Sequence, residues 1–277
     1  MEFKALVNTV LREPIDWLKR MRFESNYRTF LALQMKLGGI PRFTECRVKV
    51  GDWDLVVPDA ASFLTAYGEI FVEQIYKIRC ADDSPFILDL GANIGLSVLY
   101  LKKLYPKAVI TTYEADPRIF SCLEQNITGN GYRDVVLVNK AVWHENAILQ
   151  FSPEGGDGGR IAWDGEKNTV TVQAQDIREI LEGRTIDFLK MDIEGAEDVV
   201  LPACREYLPA VRAIFVEYHS RADERQQLDT IISVLSDAGF RLQLQSVFCS
   251  PSPLLERRVH SGYDLQLNIF GWREDGR

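Results

Sequence analysis

With 277 residues and a hydrophobic fraction of 46%, the chain has ample material for a globular core, as one large domain or one domain plus an extension. A formal net charge of −8 argues against a nucleic-acid partner, because a phosphate-tracking surface carries a basic face. Five scattered cysteines, Cys46, Cys80, Cys122, Cys204 and Cys249, include no CxxC pair. They fit reduced thiols in a cytoplasmic protein better than a disulfide framework or a zinc site. No apolar run approaches membrane-spanning length and the N-terminus carries no signal-peptide core, so a soluble chain without a transmembrane segment is expected.

Residues 1–45 read as helical. Leu6, Val7, Val10 and Leu11, then Trp17, Leu18 and Met21, share roughly one face, interrupted at Pro14. Arg12, Lys19, Arg20 and Arg22 lie among them. A basic amphipathic segment can lie on a membrane surface; a cap on the core, or a homodimer contact, is the simpler expectation. Gly38-Gly39 and Pro41 end the segment. Residues 46–58 alternate around Gly51-Asp52 as a hairpin does. Helical periodicity then runs from Phe63 to Ile78, and Asp82-Asp83-Ser84-Pro85 marks a linker.

From Phe86 onward, strands alternate with helices, the pattern of a parallel sheet covered on both faces. Phe86-Ile87-Leu88-Asp89-Leu90 is a buried strand, Gly91-Ala92-Asn93-Ile94-Gly95 a turn, and Leu96 onward a helix. That geometry brings backbone N–H groups and a helix N-terminus to a nucleotide-like ligand. Leu96 stands where the third glycine of a dinucleotide fingerprint would fall. Asp89 suits a ligand with a positive amine, such as S-adenosylmethionine (SAM). Further strands are expected at 108–113, 135–138, 185–191, 211–216, 240–247 and 265–272, with a helix over 222–238 closed by Gly239. Residues 147–151 and 169–172 are expected to pair as an antiparallel ribbon. The glycine-rich stretch Pro153–Gly159 between them reads as a mobile loop, either a plain hairpin tip or part of a substrate lid.

Ligands of an open parallel sheet bind outside the carboxyl ends of its strands. There the sequence places Asp89, then Glu114-Ala115-Asp116, then Asp192-Ile193-Glu194-Gly195-Ala196-Glu197, then Glu217-Tyr218-His219. Glu114 lies 23 residues beyond Gly91, the spacing of a carboxylate that accepts ribose hydroxyls. Each carboxylate taken alone is equally a strand-end or helix-cap residue, and Glu197 could simply face a helix dipole.

Asp89–Gly95, Tyr113–Pro117, Lys190–Glu197 and Glu217–His219 together resemble the FkbM family of SAM-dependent methyltransferases in order and spacing, over roughly residues 50–275. Lys190-Met191-Asp192-Ile193-Glu194-Gly195-Ala196-Glu197 is the specific part. The resemblance implies a Rossmann-like class I methyltransferase fold, α/β, with a seven-stranded sheet of order 3-2-1-4-5-7-6 and an antiparallel last strand. Together with the pattern along the chain, it sets the expected division: an N-terminal helical extension (1–45), a hairpin and helix leading into the core (46–84) and a SAM-binding methyltransferase domain (85–277). It also implies O-methylation of a hydroxyl on a sugar, glycan or secondary metabolite. By the same resemblance Asp89, Gly91, Asn93 and Gly95 line the methionine part of SAM, Glu114 the ribose, and Asp116 the adenosine pocket. Residues 139–142, Ala141 among them, approach adenine.

A sugar hydroxyl is a weak acid and needs a base or a metal to lose its proton. His219 is the candidate base, since imidazole titrates near neutrality. Asp192, Glu194 and Glu217 are its acid–base partners in a reading without metal. The alternative is a divalent cation such as Mg²⁺ on Asp192, Glu217 and His219. Two other functions stay open: a nicotinamide-dependent oxidoreductase, and a non-catalytic SAM- or glycan-binding module.

Overall fold

The computed structural model describes residues 20–273 apart from residues 23 and 164. The amphipathic face drawn from Leu6 to Leu18 lies outside the described residues. Helix α1 (Ser25–Leu37) stops at Gly38, as the Gly38-Gly39 signal implies. A hairpin follows, β1 (Cys46–Val50) paired antiparallel with β2 (Trp53–Val57). Next comes α2 (Ala60–Tyr67), whose first turn is capped by Asp59 accepting from the Ser62 N–H. The helix expected to reach Ile78 instead passes into one π-helical turn, Gly68–Val72, and stops.

The main sheet takes β3 (Phe86–Leu90), β4 (Val109–Tyr113), β5 (Val136–Val138), β10 (Ile186–Met191), β11 (Val211–Arg221), β12 (Arg241–Phe248) and β13 (Tyr263–Trp272). Its order is β5-β4-β3-β10-β11-β13-β12. Counted along the chain within this sheet, that is 3-2-1-4-5-7-6. Only β13 runs antiparallel to its neighbours. The fold is therefore the α/β, Rossmann-like methyltransferase arrangement that the motifs imply.

Helices α3 (Leu96–Leu104), α4 (Pro117–Gly129), α5 (Ile177–Leu181), α6 (Glu197–Ala203) and α7 (Leu228–Asp237) complete the layers. A separate four-stranded sheet joins β6 (Ala141–Trp143), β7 (Ala147–Ser152), β8 (Arg160–Ile161) and β9 (Val170–Asp176) in the order β6-β9-β7-β8. The β7–β9 pair is the expected antiparallel ribbon.

Alternate residues of a strand point to opposite faces, and here they divide the core in two. Leu88, Leu90, Leu189, Met191, Ile214 and Val216 pack with α5, α6 and α7. Ile87, Ile110, Phe188 and Phe215 pack with α3, α4 and the segment from α1 to Tyr76. Asp89, Lys190, Glu217 and His219 share the parity of that second set. The hairpin is fixed to this layer by Asn126 of α4, which is fully buried. Asn126 accepts from Val56 N (2.7 Å) and donates to Val56 O and Ile94 O (3.0 Å each).

Two further boundaries differ from the sequence reading for a clear reason. Strand β11 runs on to Arg221, because β13 pairs with it far beyond its apolar stretch, with Gln266 opposite His219. Helix α7 starts at Leu228 instead of Ala222, since the chain leaving that longer strand must first turn. Among the described residues no helix is long and apolar enough to cross a membrane.

Candidate active site

The strand ends of the main sheet open into a cavity of about 800 Å³. Its floor is the turn after β3. Gly91 (φ +84°) and Ala92 both donate to Tyr113 O, at 3.0 and 2.9 Å. Gly91 has no substitute there, because a Cβ would stand 1.7 Å from Asp192 O. Asn93 (φ +48°) donates its backbone N–H to Glu114 Oε2 at 2.9 Å. Glu114 Oε1 accepts from Asp116 N, also at 2.9 Å. Burial raises the Glu114 pKa to about 7 despite those two N–H groups, which favour the anion. Each of its oxygens keeps acceptor capacity on the cavity wall. Asp116 caps α4 by accepting from Arg118 N and Ile119 N. Asp116 and Ala141 both line the cavity.

Two expected ligand-binding residues are placed elsewhere. Asp89 is fully buried beneath the turn and off the wall. Its strand parity sends it under α3, where Ser97 Oγ donates to Oδ2; Oδ1 lies 3.4 Å from Lys190 Nζ. Gly95 (φ +91°) is also off the wall. A Cβ there would press on Leu123 and Ile127 within 3 Å, so this glycine serves the turn and the close packing of α4.

The structure brings Asp192, Glu194, Glu217 and His219 together on the same cavity, because β10 and β11 run parallel with Met191 beside Val216. Lys190 Nζ donates to Gly91 O at 2.6 Å and sits 3.2 Å from Asp192. Burial alone would lower its pKa, but Asp192 and Asp89 outweigh that and raise it. The loop after β10 is tightly held in a conformation unusual for a glutamate, with Glu194 at φ +54° and Gly195 at +91°. Buried Glu197 accepts from Ile193 N and Gly195 N, and Tyr263 OH donates to Glu194 O at 2.9 Å. The local reading of Glu197 as a carboxylate serving its own helix start is the one its contacts support.

His219 is enclosed by acids. Its Nε2 lies 3.4 Å from Glu194 and 3.9 Å from Glu217, and its Nδ1 lies 3.4 Å from Glu197. Burial lowers an imidazole pKa, but these three carboxylates outweigh it and hold the value well above 6.5. The surrounding acids therefore favour the charged imidazolium over the free base expected from the sequence. Asp192, Glu194 and His219 each offer one donor atom within 4.8 Å of the others. These three could hold a divalent ion, although a hard ion such as Mg²⁺ prefers oxygen ligands to an imidazole nitrogen.

The remaining wall comes from residues that sequence reasoning missed. Asp59, Ser62, Glu69 and Tyr76 reach the cavity from the segment before β3. The glycine-rich stretch folds over it: Asn93 Nδ2 donates to Gly156 O (3.3 Å) and Ser62 Oγ to Asp157 (2.7 Å). Trp163 closes the far side, its ring between the Arg160 and Arg221 guanidinium groups at 3.8 and 4.4 Å. Of these, only the glycine-rich stretch stands out in the sequence; no local signal marks the others.

Comparison with known proteins agrees with this geometry. The family description "Methyltransferase FkbM domain" matches residues 89–242, more than half of the chain. The chain is 30% identical over 214 residues to methyltransferase sdnD of Sordaria araneosa, covering 63% of this chain and 80% of that protein. It is 29% identical over 156 residues to the 2-O-methyltransferase NoeI of Sinorhizobium fredii, covering 48% of this chain and 63% of NoeI. It is 26% identical over 217 residues to the 31-O-demethyl-FK506 methyltransferase FkbM of Streptomyces tacrolimicus, covering 65% and 82%. A glycine turn after the first sheet strand, a carboxylate after the second and an acid-rich loop after the fourth thus lie inside the matched segment, and the chain belongs to the FkbM methyltransferase family.

Proposed function

We propose that this methyltransferase is SAM-dependent and methylates a hydroxyl of a sugar, glycan or secondary metabolite. The observation that carries the reading is one cavity with two chemically distinct parts. A glycine turn and a buried carboxylate with spare acceptor capacity lie at one part; an acid-lined pocket around Asp192, Glu194, Glu217 and His219 lies at the other. Its volume, about 800 Å³, is in the range of sites that take small ligands and cofactors. When bound, SAM supplies an electrophilic methyl group on a positively charged sulfur.

Gly91, Asn93, Glu114, Asp116 and Ala141 are the residues that would hold it. Glu114 would accept the ribose hydroxyls on lone pairs left free by Asn93 N and Asp116 N. Asp89 acts from behind, fixing Ser97 and Lys190. The acidic wall favours a cation beside it and disfavours an anionic acceptor. Carboxylates are also good acceptors for the hydroxyls of a neutral sugar. Asp192, Glu194 and Glu217 would orient the acceptor, with His219 and Lys190 holding them in place. NoeI, a 2-O-methyltransferase, and the Streptomyces enzyme, a 31-O-demethyl-FK506 methyltransferase, both act at oxygen, which supports a hydroxyl acceptor.

The family match sets aside the nicotinamide-dependent oxidoreductase. The test is calorimetric titration of SAM and of NAD into the protein and into Glu114→Gln. Transfer of labelled methyl from SAM to methyl glycosides of glucose, galactose and mannose and to 31-O-demethyl-FK506 is then measured with and without chelator. SAM binding that weakens in the variant, no NAD response, and chelator-resistant transfer are the expected results. SAM binding without transfer to any acceptor would favour a non-catalytic module.

A further inference from the structure

Glu69 lies in the π-helical turn Gly68–Val72 and lines the cavity. A π turn adds a residue to the helix and re-aims the side chains around it, and such turns recur at functional sites. Here Ile70 and Phe71 remain buried in the core while Glu69 is turned to the cavity. Its electrostatic neighbours are Asp192 and Asp157.

Most of the other acids around this part of the cavity are engaged; the exception is Glu217, which makes no hydrogen bond among the described residues and whose pKa burial raises to about 8. Asp192 pairs with Lys190 at 3.2 Å. Glu194 and Glu217 lie 3.4 and 3.9 Å from His219. Glu197 is taken up by two backbone N–H groups. The Glu69 carboxylate makes no hydrogen bond or ion pair among the described residues.

We propose that Glu69 contacts the acceptor hydroxyl and takes its proton during methyl transfer, an assignment that rests on the function proposed above. The acceptor oxygen forms its bond to the methyl carbon. The electron pair of the breaking carbon–sulfur bond stays on sulfur, leaving a neutral thioether. The hydroxyl proton passes to a Glu69 oxygen and returns to water as product leaves. Burial, with Asp192 and Asp157 close by, raises the Glu69 pKa to about 7, a base strength matched to neutral pH. Glu69 also precedes the matched segment 89–242, so the proton acceptor comes from a part of the chain that this match leaves out.

The experiment uses Glu69→Gln, which keeps shape and hydrogen bonding but cannot take a proton, and Glu69→Asp, which can. The probes are SAM for binding and the same methyl glycosides and 31-O-demethyl-FK506 for turnover. Glu69→Gln should bind SAM within twofold of the parent and lose roughly 10²- to 10⁴-fold in kcat, the usual contribution of a general base. Acceptor KM should change only a few-fold, and Glu69→Asp should recover part of the rate. A kcat within threefold of the parent in Glu69→Gln, or loss of SAM binding in that variant, overturns the assignment of Glu69 alone. A parent protein that fails to bind SAM, or binds it and methylates none of these acceptors, overturns the proposed function and this assignment with it.

Discussion

The cavity has two walls built on different principles. The wall from Gly91 to His219 is made where strands end, by backbone turns and by side chains that strand parity places in fixed directions. The wall from Asp59 to Tyr76 is made by side chains on a hairpin, a helix and a π turn that dock onto the sheet from outside. The first wall is rigid because its backbone groups bond to neighbouring strands, as Gly91 and Ala92 do to Tyr113. The second is only as well placed as the contacts that dock it. On the function proposed above, the first wall holds the methyl donor and part of the acceptor, and the second adds contacts to the acceptor from outside the sheet.

The largest expected effect is on the first wall. In Gly91→Ala the new Cβ would stand 1.7 Å from the Asp192 carbonyl, on a residue at φ +84°. Left-handed strain and forced displacement together should cost about 3 to 5 kcal/mol. Urea unfolding should register that loss, and calorimetry should find SAM binding abolished. A variant with parent-like stability would mean that the turn is softer than its hydrogen bonds imply.

Asn126→Ala is the corresponding break in the second wall. It leaves the buried Val56 N–H, and carbonyls of Val56 and Ile94, without the partners they have now. About 3 kcal/mol or more should be lost, at about 1–3 kcal/mol for each of the three stranded groups. Because Asn126 also holds the Ile94 carbonyl of the glycine turn, folded Asn126→Ala should weaken SAM binding a little while acceptor KM rises more. Equal loss at both would show that the two walls move together.

This division also explains what the sequence made legible. Gly91, Asn93 and Glu114 could be read because a strand, a glycine turn and a carboxylate after the next strand are local patterns. Asp89 reads from the motif as a ligand contact, and strand parity turns its side chain under α3 to Ser97. His219 was found for its position, but its charge depends on Glu194, Glu197 and Glu217, which only the packed sheet brings around it. Strand β11 outran its hydrophobic pattern because backbone pairing to β13 needs no apolar side chains. Glu69 left no trace at all: it stands in a stretch read as continuous helix, and a π turn has no simple sequence signature.

Glu114 gives a smaller effect whose sign separates binding from stability. Burial raises its pKa to about 7, above the ordinary glutamate value near 4.3. A folded pKa above the unfolded one means stability that is present below about pH 4.3 and lost as pH rises through about 7. SAM affinity should move the opposite way, since ionised Glu114 is the better acceptor for ribose hydroxyls. Between pH 5.5 and 7.5 the ligand-free protein should lose on the order of 1–2 kcal/mol from this group, while SAM binds more tightly. Glu114→Gln should flatten both trends. Parallel trends in stability and affinity would refute the role given to this carboxylate.

The smallest effect belongs to the contacts that hold the glycine-rich stretch against the second wall. Ser62 Oγ lies 2.7 Å from both Asp59 and Asp157, yet a hydroxyl has one proton to donate. It can satisfy only one carboxylate at a time. The other contacts are a 3.3 Å hydrogen bond from Asn93 to Gly156 and a 3.4 Å ion pair from half-exposed Arg42 to Glu154, and exposed ion pairs contribute little. The stretch is thus closed but weakly latched. Ser62→Ala should cost less than about 1 kcal/mol of global stability, yet limited proteolysis at residues 155–159 should speed up several-fold. SAM should slow that cleavage in the parent protein if the stretch closes over the ligand. Cleavage rates that ignore both the substitution and SAM would make this stretch a fixed part of the wall.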